Sequence, residues 1–157
     1  MEKHAEILAP AGGEAQLRAA VLCGADAVYL GLRGFNARAG AENFDENTLP
    51  QTVGWCHARG VRVYVTLNAL VTDRELPQAA QLARRASELG ADAVLVQDLG
   101  VARMVRQTVP DLPIHASTQM TVHSLDGVKA CADLGMSRVV LSRQLSRDQI
   151  AYICQNS

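Results

Sequence analysis

The chain has 157 residues, 48% of them hydrophobic, and a formal net charge of -1. That size and apolarity allow one substantial core, so a single domain over residues 1–157 is expected and disordered or fibrous classes are excluded. The near-zero charge gives no global attraction to nucleic acid or anionic lipid; no apolar run approaches the ~20 residues of a membrane span, and Met1-Glu2-Lys3-His4 opens no signal peptide, so a cytoplasmic location is expected.

In chain order, short apolar runs predict strands near Glu6 to Ala9, Ala27 to Leu30, Val61 to Leu67, Ala93 to Val96, Ile114 to Ala116 and Arg138 to Leu141. Between and after them, apolar residues at three- and four-residue intervals predict helices over Ala15 to Cys23, Leu49 to Arg59, Arg74 to Leu89, Val101 to Thr108, Leu125 to Leu134 and Arg147 to Cys154. Asp73 and Ser146 suit N-caps, and Gly24, Gly60, Gly90 and Gly135 stand where helices should stop. One phrase recurs: Gly24-Ala25-Asp26-Ala27-Val28 and Gly90-Ala91-Asp92-Ala93-Val94, with a looser echo at Gly135-Met136-Ser137-Arg138-Val139. Each copy joins a helix end to a strand buried on both faces, which is the joint of a parallel β/α fold. Six such units suit either a closed eight-unit barrel or an open doubly wound sheet.

In both architectures ligands gather at the carboxyl ends of the strands. The segments that follow the strands are Pro10 to Gly13, Gly31 to Glu46, Asn68, Gln97-Asp98, Ser117 to Gln119 and Ser142 to Gln144. The second is long for a β/α connection and contains Arg33, Asn36, Arg38, Asn43 and Phe44, a mixture suited to closing over a carboxylated or phosphorylated ligand. Gly12-Gly13 before a helix suits a phosphate cradle or simply a tight turn. His115 is either a general base or ligand, or a core histidine bonded to a neighbouring strand; Ser117 is expected on the opposite face and so forms no dyad with it. Serine-protease and zinc-protease motifs are missing from the sequence. Cys23, Cys56, Cys131 and Cys154 lie far apart without Cys-x-x-Cys spacing and read as reduced thiols packed under helices, so no metal ligands are assigned.

Pro10-Ala11-Gly12, Gly24 to Tyr29, Phe35-Asn36-Ala37-Arg38, Asn43-Phe44, Val65 to Asn68, Val96-Gln97-Asp98, His115 to Met120 and Val139 to Arg143, in that order, resemble the amino-terminal part of the U32 peptidase family, the collagenase-like proteases. The resemblance covers essentially the whole chain. It implies a partial (β/α)8 barrel of six parallel strands in sequential order, the amino-terminal part of a longer protein. It implies a peptidase, or alternatively oxygen-independent hydroxylation of tRNA or rRNA, for the full-length parent. An iron-sulfur cluster held by cysteines in a downstream segment is a further implication, with no cofactor site in this chain. The third reading is a non-catalytic structural or binding module. The candidate site comprises His115 and Arg143 as catalytic residues, with Arg38, Asn36, Asn68, Gln97 and Gln119 contacting an anionic small molecule, peptide or RNA. Two positions depart from the family pattern: Gly13, where an acidic or amide residue is usual, and Gln144, where a glutamate is usual. With the last barrel units missing, this chain alone is expected to be catalytically silent and to self-associate through exposed strand edges.

Overall fold

The computed structural model describes residues 5–32, 35, 42–45 and 47–157. Six strands alternate with six helices: β1 (Leu8–Ala11), α1 (Glu14–Leu22), β2 (Ala27–Gly31), α2 (Leu49–His57), β3 (Arg62–Leu67), α3 (Leu76–Glu88), β4 (Ala93–Val96), α4 (Leu99–Thr108), β5 (Ile114–Ala116), α5 (Leu125–Asp133), β6 (Arg138–Val139) and α6 (Arg147–Asn156). The sheet runs β1-β2-β3-β4-β5-β6, and every pairing is parallel. The sheet is curled, not flat. Glu6, just before β1, hydrogen-bonds to Arg138 on β6, whereas five flat inter-strand spacings of about 4.8 Å would hold those edges roughly 24 Å apart. The α/β fold is therefore a partial barrel with its helices outside.

The repeated phrase has a structural meaning at each joint. Gly24 and Gly90 adopt φ of 93° and 88°, a left-handed conformation that ends the helix and that a side chain would strain. The aspartate two residues on then clasps the preceding strand in the sheet. Asp26 N–H donates to Ile7 O at 3.0 Å while its Oδ2 accepts from Ile7 N–H at 2.7 Å; Asp92 N–H donates to Val63 O at 2.8 Å while its Oδ2 accepts from Val63 N–H at 2.7 Å. In the looser echo, both the N–H and the hydroxyl of Ser137 donate to Ile114 O, so the reciprocal bond is missing.

Strand alternation sorts the apolar side chains into two sets. The larger one, including Val28, Leu30, Val63, Val65, Val94 and Ile114, packs outward against the buried faces of the helices. The smaller one, Ala27, Tyr64, Ala93 and Leu95 with Leu8 and Tyr29 against it, fills the barrel interior. Burial on both faces explains why the strands read as continuous apolar runs.

Several boundaries differ from the sequence reading. β1 lies two residues later than expected, and β6 stops at Val139. Asp73 is not an N-cap: α3 starts at Leu76, with Pro77 in its first turn, and Glu75 instead folds its carboxylate back onto the N–H and hydroxyl of Thr72. Asp98, read as a strand-end polar residue, caps α4 by accepting from Val101 N–H at 2.8 Å. Ser146 caps α6 as expected, in a reciprocal box with Gln149.

Candidate functional site

A pocket of about 370 Å³ opens at the carboxyl ends of the strands. Its walls come from β1 and its turn (Ala11, Gly12), β2 (Tyr29, Gly31), β3 and the residue beyond it (Thr66, Asn68), the segment after β5 (Ser117, Thr118, Gln119), and Val140 with Arg143 after β6. Asn43 completes the rim. Held at φ 52°, it donates its N–H to Gly12 O, and the Phe44 N–H donates to Gly31 O, so residues 43 and 44 are held against the first two strand ends.

Most wall hydroxyls have structural partners. Thr66 Oγ1 donates to Leu30 O at 3.1 Å, tying β3 to β2. A 3-10 turn over Thr118–Met120 follows β5, with Ser117 Oγ accepting from Gln119 N–H at its start. At the top of the pocket Gln119 Oε1 accepts from Asn68 Nδ2 at 2.6 Å and from Ser117 Oγ at 3.2 Å. The guanidinium of Arg143 is exposed and has no partner among the described residues.

Of the residues singled out in the sequence, Asn68, Gln119 and Arg143 line this pocket. Gln97 and His115 do not. Arg38 and Asn36, with Arg33, lie outside the described residues. Gln97 is half-buried just after β4, and the chain passes directly from it into the α4 cap. His115 is buried one inward-facing position below Ser117, in the layer under the pocket. The two residues are two apart on the strand and therefore share its inner side, which corrects the expectation that they oppose each other; Ser117 bonds to Asn68 and Gln119 and not to His115. The His115 ring meets Tyr64 edge-on, with centroids 4.8 Å apart, and its Nδ1 is buried without a partner. Burial, helped by the charge of Arg138, lowers its pKa to about 4, so the ring is neutral near pH 7.

The layer toward the amino ends of the strands holds an ion cluster. The Glu6 carboxylate accepts from Arg62, Arg138 and the Tyr64 hydroxyl. Burial opposes ionisation of Glu6, but the hydrogen bond and charge of Arg138, with the charge of Arg62, outweigh it and hold its pKa below the usual value. Sequence reasoning missed both this cluster and Thr66. Alternation along β3 was the available signal, since Arg62, Tyr64, Thr66 and Asn68 fall on one face.

At the two departures from the family pattern, Gly13 leaves space that the Glu42 carboxylate enters, where a Cβ at position 13 would collide with it. An acidic group thus still stands over the start of α1, supplied from the loop after β2. Gln144 is exposed and does not line the pocket.

The cysteines do not fit an iron-sulfur cluster. Cys56 and Cys131 are buried and Cys23 and Cys154 exposed, and no group of three His, Cys, Asp or Glu side chains among the described residues could hold a metal ion. Burial raises the Cys56 pKa to about 11, which suits a packed thiol and not a ligand or nucleophile. No helix among the described residues is long and apolar enough to cross a membrane.

A curled parallel sheet with a pocket at its carboxyl ends defines a protein of the β/α-barrel class. The chain belongs to peptidase family U32, whose family model matches residues 12–157. It is 39% identical over 150 residues to the 23S rRNA 5-hydroxycytidine C2501 synthase of Escherichia coli (strain K12), covering 96% of this chain and 22% of that protein. It is 34% identical over 148 residues to tRNA hydroxylation protein P of the same organism, covering 94% of this chain and 33% of that protein. The chain therefore spans between about a fifth and a third of these relatives' lengths. Its fold is similar to that of the U32 peptidase Mk0906, with a TM-score of 0.77 at 18% identity, covering 100% of this chain and 68% of that one.

Proposed function

We propose that this chain forms the ligand-binding barrel portion of an enzyme that hydroxylates RNA, and that its pocket holds a small anionic co-substrate. The observation that carries this reading is the chemistry of the pocket wall. It presents amides, hydroxyls and the Arg143 guanidinium; among the described residues no Cys, His, Asp, Glu or Lys lines it, and the one serine among them is tied to two amides. Such a wall can bind and orient an oxyanion, because charge-assisted bonds from arginine are strong. The described residues that line it include no nucleophile-and-base pair of the kind a serine or cysteine protease uses. The relatives named for rRNA and tRNA hydroxylation support the same reading.

In this reading Arg143 and Gln119 contact the ligand, and Arg38 and Asn36 are further candidate contacts that lie outside the described residues. His115, neutral and one layer down, shapes the floor. RNA is the substrate of the longer protein, which acts in the cytoplasm, and any iron-sulfur cluster belongs to a segment outside this chain. The test is nucleoside mass spectrometry of rRNA and tRNA from cells lacking the gene. Loss of a one-oxygen increment on a pyrimidine is expected, restored by the intact gene but reduced about tenfold or more with Arg143→Ala if a charged hydrogen bond is lost. An unchanged RNA profile, with gelatin cleaved by the purified full-length protein, would establish proteolysis instead.

A further inference from the structure

Three polar residues at the pocket top, Asn68, Ser117 and Gln119, hydrogen-bond to one another. Ser117 Oγ accepts from Gln119 N–H at 3.5 Å and from Asn68 Nδ2 at 3.3 Å. Its own proton is then available for Gln119 Oε1, 3.2 Å away. Asn68 Nδ2 gives a second, shorter bond of 2.6 Å to the same oxygen. Gln119 Oε1 thus takes two donors, and its Nε2 has no partner among the described residues although the side chain lines the pocket. Reversing the Gln119 amide alone would set its NH2 against the Asn68 NH2, donor against donor. Reversing both amides would turn the contact between Asn68 and Ser117 round, with Ser117 Oγ donating to Asn68 Oδ1, so the exchange of the two side-chain NH2 groups distinguishes the arrangements.

We infer that Asn68 and Ser117 are positioning residues that hold Gln119 with its carbonyl turned away and its NH2 offered to the pocket, so that Gln119 and Arg143 together select an oxyanion over its neutral amide counterpart. This deepens the proposed anion-binding reading and rests on it. It also reassigns Asn68: the side chain acts through Gln119 and does not itself hold the ligand. The selectivity follows because the Gln119 NH2 and the Arg143 guanidinium are both donors: two carboxylate oxygens satisfy them, whereas the NH2 of an amide would face one of them donor to donor.

The experiment is side-chain amide NMR of the isotopically labelled 157-residue chain, in wild type, Asn68→Asp and Gln119→Glu forms. Without ligand, the Asn68 NH2 protons should exchange slowly with water and the Gln119 NH2 protons quickly. Acetate added at constant ionic strength should shift the Gln119 NH2 and Arg143 Nε–H resonances along one saturation curve, and acetamide should not. Asn68→Asp sets acceptors against Gln119 Oε1 and turns the amide round; acetate binding should weaken about tenfold or more while the backbone spectrum stays native, and Gln119→Glu should weaken it similarly. Fast exchange at Asn68 with protection at Gln119, or Asn68→Asp binding acetate like wild type, would overturn the inference. The predicted exchange pattern with no acetate or phosphate response would uphold the amide orientation and overturn the anion-binding reading on which the selectivity depends.

Discussion

A neutral imidazole suits the place His115 occupies, because a charged ring there would give up its hydration and lie near the Arg138 guanidinium. Its folded pKa of about 4 lies below the ordinary value of 6.5, so between those values the unfolded chain binds a proton that the folded chain refuses. Stability from this group is complete above pH 6.5 and is lost as pH falls toward 4, about 3 kcal/mol in all. Glu6, whose pKa is held low, adds a loss further down the acid range. Urea midpoints of wild type and His115→Asn at pH 7 and pH 5 check this: the variant should show the flatter dependence, and equal slopes would mean the ring already shares protons with water. The sequence left His115 open between a site residue and a core residue. A strand position tells which face a side chain takes but not how deep in the barrel it sits, and depth decides its protonation.

The helix-glycine-aspartate joint works at the scale of the element. Asp92 satisfies Val63 N–H at the edge of β3 and also meets His57 Nε2 at 2.8 Å, so one carboxylate links β3, β4 and the end of α2. Replacing it with alanine removes those bonds and leaves the amide of the buried Val63 short of a partner. Asp92→Ala is expected to destabilise the chain by about 1–3 kcal/mol, read as a lower urea midpoint. A change below a few tenths of a kcal/mol would show that water replaces the carboxylate there. The repeat was legible because its parts are local: a left-handed glycine, a short polar side chain and an apolar run. The third copy was legible only as a looser echo; there the Ser137 hydroxyl donates to Ile114 O in place of the reciprocal bond, and β6 after it is the shortest strand among the described residues. The misplaced start of α3 has a different cause. Asp73 looked like a cap, but Glu75 competes for the same turn and Pro77 sets the first helical residues.

For the whole molecule, the outward apolar set that covers β2 to β5 thins at the sixth unit. Leu141 and Val139 are only partly buried, α6 buries Ile153 alone, and Ile150 and Tyr152 are 40% and 59% exposed. β6 is an edge strand among the described residues, and the open side of an edge strand can pair with another strand. The purified 157-residue chain is therefore expected to self-associate in light scattering, more strongly as concentration rises. A monomer at all concentrations would show that the Glu6 to Arg138 bridge closes the edge well enough. What the sequence by itself determined is the order and type of the elements, the parallel sheet and the polar character of the strand ends, because each depends on contacts within a few residues or on a period repeated along the chain. What only the tertiary structure decided is which of those polar residues meet. The curl brings Glu6, just before β1, within reach of Arg138 on β6, leaves His115 below the pocket and Gln97 outside its lining, and sets Asn68 against Gln119 across 51 residues of sequence. Those outcomes depend on barrel curvature and strand stagger, which are properties of all six strands packed together and are written in no single segment.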